Sequence, residues 1–229
     1  YELGNTLSTH LIYEEKDETF TSYVSKTKSH RFIFIVNEST LSSEVRYMDA
    51  DQPQAKFKKF LSREKDHLYS ITDFGEDFYV LTNWKATNFR LMKTPIESAS
   101  NKEQWKEIIA HREKVLLEDI EIFKDFLVVT EVNDANTHLR IMPWDKSGEQ
   151  YIQFDAQAYV AGVGHNPEFN TDQLRIYYQS MVTPSTQYEY NMRTREKTVL
   201  KQQEVLGGYD PNNYVTERLW ATAQDGTKI

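Results

Sequence analysis

The sequence predicts an all-β fold: about four four-stranded antiparallel blades of a β-propeller, cut at both ends. Three observations predict it. A tetrapeptide recurs as Val45-Arg46-Tyr47-Met48, Phe89-Arg90-Leu91-Met92 and Leu139-Arg140-Ile141-Met142, with a weaker fourth copy ending Tyr188-Glu189-Tyr190-Asn191-Met192. Upstream of each lies a second element, at Arg31-Phe32-Ile33-Phe34-Ile35, Asp77-Phe78-Tyr79-Val80-Leu81, Asp125-Phe126-Leu127-Val128-Val129 and Gln173-Leu174-Arg175-Ile176-Tyr177, whose first residues stand 46, 48 and 48 positions apart. Self-similarity at a period of roughly 40–50 residues marks propeller blades. The apolar runs are also short, rich in Val, Ile, Phe and Tyr, and separated by polar turn clusters, as antiparallel strands require.

Each repeat supplies four candidate strands. The first blade, near residues 11–50, takes strands at 11–13, 20–25, 31–36 and 44–49. The second, near 57–94, takes 57–61, 68–71, 77–82 and 88–93. The third, near 105–144, takes 105–109, 116–122, 125–130 and 137–143; the fourth, near 150–193, takes 151–154, 158–163, 173–179 and 186–192. A further blade starts at 198. Tyr1-Glu2-Leu3 falls where the last strand of a preceding blade belongs. A short helix capped by Ser98 is the best helical candidate, within residues 98–109. Gly207-Gly208-Tyr209-Asp210-Pro211-Asn212-Asn213 reads as a linker that closes a partial propeller over 1–213. Residues 215–223 then read as a strand, and Asp225-Gly226 as a hairpin turn.

Composition narrows the function. The chain has 229 residues, 39% hydrophobic and 27% charged, enough for a substantial core and unlike a disordered segment. No apolar run approaches the roughly 18 residues that span a bilayer, so no membrane partner is expected. A formal net charge of −8 argues against a nucleic-acid partner, whose phosphates need a basic face. The absence of cysteine removes disulfides and thiolate metal sites and suits a reducing compartment. The cytoplasm is the expected location, with the periplasm left open.

Catalytic motifs are lacking. No Gly-x-Ser-x-Gly elbow, no Gly-Lys-Ser/Thr phosphate loop and no His-x-x-x-His pair occurs, and Gly162-Val163-Gly164 lacks the third glycine of a dinucleotide loop. The expected set of catalytic, cofactor-binding and metal-binding residues is therefore none. Three features remain to be weighed. The polar echoes Glu14-Glu15-Lys16-Asp17, Arg63-Glu64-Lys65-Asp66 and Arg112-Glu113-Lys114-Val115 could form a charge-reading ring, but repeated polar loops suffice to explain them. The arginine of each Arg-x-Met unit is expected to pack its stem on neighbouring strands and pair with a carboxylate, and the methionine to fill space between blades. His111 reads as a surface or hydrogen-bonded histidine, and the long loop opening at His165-Asn166-Pro167-Glu168 equally as a rim contact for a partner or as an unselected insertion.

The segments Asn166-Pro167-Glu168-Phe169-Asn170-Thr171 and Leu174-Arg175-Ile176-Tyr177-Tyr178-Gln179-Ser180-Met181-Val182-Thr183-Pro184 resemble the last propeller repeats of the oligopeptidase B branch of the prolyl oligopeptidase family of serine peptidases. Leu41-Ser42-Ser43-Glu44-Val45-Arg46-Tyr47-Met48-Asp49-Ala50-Asp51, Asn88-Phe89-Arg90-Leu91-Met92 and Glu217-Arg218-Leu219-Trp220-Ala221 running into Asp225-Gly226-Thr227-Lys228-Ile229 agree, with Ser42 in place of an expected threonine. The resemblance covers essentially the whole chain. It implies a seven-bladed propeller capping an α/β-hydrolase domain, with this chain covering the later blades and residues 214–229 crossing into that domain. The implied partners are short peptides cleaved after Arg or Lys and the C-terminal hydrolase domain. Catalytic residues would lie beyond Ile229, so none is transferred. Self-association through open blade edges is expected of a severed ring. Two other readings stay open: a stand-alone interaction propeller without activity, and a carbohydrate-active propeller using the Trp and Tyr content, for which no carboxylate pair stands out.

Overall fold

A computed structural model describes residues 10–229, so the strand expected at Tyr1-Glu2-Leu3 lies outside the described residues. The first sheet joins β1 (Thr21–Lys26), β2 (Phe32–Glu38), β3 (Ser43–Asp49) and β4 (Lys58–Lys59). The second joins β5 (Tyr69–Phe74), β6 (Asp77–Thr82), β7 (Arg90–Pro95) and β8 (Lys106–Ile109). The third holds β9 (Leu116–Ile122), β10 (Phe126–Asn133), β11 (Asn136–Pro143) and β12 (Gln150–Tyr151), and the fourth β13 (Tyr159–Val163), β14 (Gln173–Ser180), β15 (Thr186–Asn191) and β16 (Lys197–Gln202). In every sheet the strands follow chain order, and the recorded pairings are antiparallel. The expected four-stranded blades are present.

Their phase differs from the expectation by one strand. Residues 57–61, read as opening the second blade, supply β4, which pairs with β3 of the first sheet through Arg46↔Lys59. Residues 105–109, 151–154 and 198–201 likewise supply the fourth strands β8, β12 and β16 of the sheets before them. Residues 11–13 form no strand. A repeat fixes the spacing of strands but not where a sheet begins. That depends on which neighbour satisfies the backbone of the outermost strand.

The other departures are local. Residues 96–104 form two short 3-10 turns, Ile96–Ser98 and Lys102–Gln104, rather than an α-helix. Asn101, not Ser98, accepts from the Glu103 amide at 3.1 Å. Asp225-Gly226 does form the expected turn, with Gly226 at φ +87° and paired amides between Ala221 and Ile229 at 2.9 Å. No regular strand forms over 215–223, however, because only the isolated bridge Thr222↔Lys228 supports it. A lone two-stranded ribbon is marginal in water.

The chain divides into two compact units, the first holding residues up to Thr82 with Thr94–Trp105, the second Asn83–Lys93 with Lys106–Ile229. The core of the first is aromatic. Phe78, fully buried, packs against Phe32 (5.2 Å between centroids), Tyr47 (5.0 Å, edge-on) and Phe60 (5.8 Å, edge-on), arrangements that aromatic quadrupoles favour. In the second unit the third and fourth sheets share one core of Val128, Leu139, Ile141, Leu174, Ile176 and Met192 with their neighbours. Strand β10 is buried at six successive positions, Phe126 to Glu131, so both faces of the third sheet are covered. Strand β14 instead alternates, with Leu174, Ile176 and Tyr178 buried and Arg175, Tyr177 and Gln179 exposed. One face of the fourth sheet is therefore open.

Phe78→Ala should lower the unfolding free energy by about 3–5 kcal/mol, the usual cost of emptying a fully packed aromatic site. Urea titration followed by tryptophan fluorescence checks this.

Candidate functional site

The side chains that the repeats single out are built into charge networks. In the first unit Glu44, 3% exposed, sits on β3 two residues before Arg46, so both point to one face. Its carboxylate meets Arg46 at 2.9 Å, Lys59 at 3.4 Å and Arg63 at 3.8 Å. Arg63 also pairs with Glu15 and stands 3.8 Å from the centroid of Phe20, while Arg46 covers Tyr13 at 4.7 Å. Residues 13–20, which carry no strand, are thereby pinned by two guanidinium stems and one ion pair. The Arg63 guanidinium and the Tyr13 hydroxyl hold the Glu15 carboxyl down at about 2.

The second unit repeats the device around Glu131, 2% exposed on β10. Arg112 donates to it at 2.5 Å, Arg140 contacts it at 2.5 Å and the Tyr151 hydroxyl donates at 3.1 Å. Arg140 further reaches Glu149 at 3.1 Å. Arg90 pairs with Glu107 at 3.3 Å and lies 5.0 Å from the Trp84 ring centroid. All three arginines of the Arg-x-Met units thus pair with carboxylates, as expected from their chemistry. The methionines divide: Met92 is buried, whereas Met48 and Met142 are half-buried.

The weaker fourth copy is not equivalent. Phe32 pairs with Asp49 and Ile35 with Arg46; Phe126 pairs with Pro143 and Val129 with Arg140. In the fourth sheet Leu174 takes the phenylalanine's place and pairs with Tyr190, so Tyr177 faces Gln187 where the arginine would stand. Met192 is out of register with the other methionines and fills the shared core. The fourth sheet has no arginine–carboxylate device at this place in its register.

The polar echoes are likewise engaged. Glu64 accepts from Lys102 at 2.6 Å, and the two flank the buried His67. His67 Nδ1 lies 3.5 Å from the Lys102 ammonium and 3.7 Å from Glu64, while Nε2 lies 2.9 Å from the Thr82 hydroxyl. An ammonium has only protons to offer, so Nδ1 is the acceptor and Nε2 carries the hydrogen donated to Thr82. Burial first, and then Lys102, push the imidazole below its ordinary value. Sequence reasoning passed over His67, whose Asp66-His67-Leu68 context resembles any turn.

His111 has a buried Nε2 with no partner and joins no charged cluster. The rim loop is held by Asn166, which accepts from the Arg175 amide at 2.7 Å and donates to the Arg175 carbonyl at 3.0 Å, imitating a paired strand. His165, Glu168, Arg175 and Glu189 border a shallow cavity of about 220 Å³ beside it. Gly162-Val163-Gly164 is the end of β13, with Gly162 paired to Tyr177 and the Gly164 amide bonded to the Arg175 carbonyl at 2.8 Å, and no helix follows. Among the described residues no group of three or more His, Asp or Glu could hold a metal ion, and no helix is long and apolar enough to cross a membrane.

Four-stranded antiparallel sheets repeated along one chain, with their conspicuous charges committed between strands, define a β-propeller domain. Residues 1–203 match the family described as prolyl oligopeptidase, N-terminal beta-propeller domain, and the chain belongs to that family. Over 96% of its length it is 43% identical to dipeptidyl aminopeptidase BI of Pseudoxanthomonas mexicana, of which it covers 30%. It is 32% identical to Protease 2 of Moraxella lacunata over its whole length, covering 33% of that protein. The solved structure of oligopeptidase B from Leishmania major superposes with a TM-score of 0.85 at 26% identity, over 95% of this chain and 32% of that one. The chain spans about a third of the length of the curated relatives it matches.

Two outcomes follow from these networks. Arg63→Ala should release residues 13–20, seen as faster amide exchange at Phe20, whose N–H now bonds the Asp17 carbonyl at 3.0 Å. The lowered His67 means that the unfolded chain takes up its proton first on acidification. Stability contributed by neutral His67 is therefore complete above about pH 6.5, the ordinary histidine value, and is lost as pH falls below it. Denaturant midpoints measured from pH 7.5 to 5 should fall in the wild type and fall less in His67→Gln.

Proposed function

We propose that this chain is the substrate-access propeller of a serine oligopeptidase that hydrolyses short peptides after basic residues, with the hydrolytic domain following residues 214–229. The observation that carries the proposal is the match to a peptidase propeller family over residues 1–203, in a chain that spans only about a third of relatives bearing peptidase names. The charge balance supports the ligand class: at −8, the chain draws cationic peptides towards it. The propeller restricts entry by size, and bond cleavage belongs to the hydrolytic domain. A cytoplasmic location fits a chain without cysteine.

Self-association of the isolated chain belongs to the same proposal. The open face of the fourth sheet shows Val160, 60% exposed, and Tyr177, 43% exposed, while the edge strand β16 exposes Val199 and Leu200. Such surface normally finds a cover. Light scattering behind a sizing column should give a mass above that of the monomer. A strictly monomeric chain at all concentrations would favour the second reading, a self-sufficient interaction propeller.

The isolated 229-residue chain should not hydrolyse an arginine ester above a control treated with a serine-directed inhibitor. The longer protein should cleave an arginyl peptide, with kcat/KM falling as salt screens the steering field. Serine-dependent hydrolysis by the isolated chain would overturn the division of labour. An unchanged kcat/KM from low to high ionic strength would remove the steering.

A further inference from the structure

We propose that the furrow between the third and fourth sheets holds a subsite for the lysine side chain of an extended peptide, and that Lys197 occupies it in the unliganded protein. The site is built on a patch of rings. Phe154 stacks on Tyr178 with centroids 4.9 Å apart and planes 6° from parallel, and Tyr159 packs on both at 5.0 and 5.6 Å. Tyr188 closes the patch, 6.4 Å from Tyr178. Into it β16 sends Lys197, whose ammonium lies 5.1 Å from the Tyr188 centroid and 5.5 Å from that of Phe154, within cation–π range of both.

The ammonium is weakly held there. Its three donors find one recorded acceptor, the Gln153 carbonyl, at a long 3.4 Å. Asp155 lines the cavities on both sides of Lys197. One cavity, of about 350 Å³, reaches towards Thr183 and Tyr214; the other, of about 540 Å³, reaches towards Gln150 and Arg195. Lys197 stands at their junction, exposed and on an edge strand, so its departure joins the two into one groove. Thr216 also borders the first cavity.

Two aromatic faces, a backbone carbonyl and a nearby carboxylate form a set of groups suited to a primary ammonium. Lys197 shows that an ammonium fits. An outside lysine competes with Lys197, so wild-type affinity is low and removal of Lys197 raises it. The proposal rests on the basic-peptide reading above only for the source of the peptide.

The test compares wild-type chain with Lys197→Ala, titrated with acetyl-Ala-Lys-Ala-amide and with the same peptide carrying norleucine, by calorimetry and by the ring resonances of Phe154 and Tyr188. The lysine peptide should bind Lys197→Ala roughly tenfold more tightly than wild type, the scale of one cation–π contact. The norleucine peptide should bind neither. Tyr188→Leu added to Lys197→Ala should cancel the gain. Equal affinity of the lysine peptide for both proteins, or equal binding of the norleucine peptide, overturns the proposal. Lys197 is exposed, so its replacement leaves the fold intact, which circular dichroism verifies; Lys197→Gln provides an independent second opening of the cage. Binding is read without hydrolysis, so failure here leaves the peptidase reading standing, and failure of that reading leaves the cage standing.

Discussion

A strand buried on both faces cannot hold a charge without holding its partners too, and the rest of this structure follows from that constraint. Strand β10 hides six residues in a row, and the last of them is Glu131. An isolated carboxylate there would cost several kcal/mol of lost hydration. It is tolerable because Arg112, Arg140 and Tyr151 reach it from three different segments. Those segments are the connection before β9, the third strand and the outermost strand. One buried charge therefore ties the sheet together from its entry to its edge. Glu44 does the same for the first sheet with Arg46, Lys59 and Arg63.

This arrangement makes the repeated arginines part of the fold. The arginines that recur along the sequence are the groups that could have bound substrate anions or read peptide charge. They are committed to carboxylates a few ångströms away. The summed charge of the chain and the furrow that holds Lys197 among its rings are not committed in this way.

Much of the fold was legible in the sequence. The runs starting at Phe32, Phe78, Phe126 and Leu174 fall on the second strands because apolar density and spacing are local properties. Even the open face of the fourth sheet is written there, since Leu174-Arg175-Ile176-Tyr177 alternates where Phe126-Leu127-Val128-Val129 does not. Sheet phase was not legible, because whether residues 57–61 open one blade or close another depends on backbone partners far away in sequence. The match of Met192 to Met48 failed for a related reason: identity of letters is not identity of register. The ring cage was invisible because Tyr188 and Lys197 meet across the β15–β16 pairing and Phe154 joins them from the segment after β12.

The arginines of the first and third Arg-x-Met units and their buried carboxylates hold each other as structure. A double-mutant cycle at Glu131 and Arg140, using Glu131→Leu, Arg140→Met and the pair, with stability read from urea unfolding, tests this most directly. Glu131→Leu should cost about 3–5 kcal/mol, because it strips Arg112 and Arg140 of their buried carboxylate. Arg140→Met should cost less, because Arg112 and Tyr151 still hold Glu131. The pair should cost much less than the two added together, giving a coupling of at least about 1.5 kcal/mol. Additive costs would contradict the account and return these side chains to the list of groups available for binding.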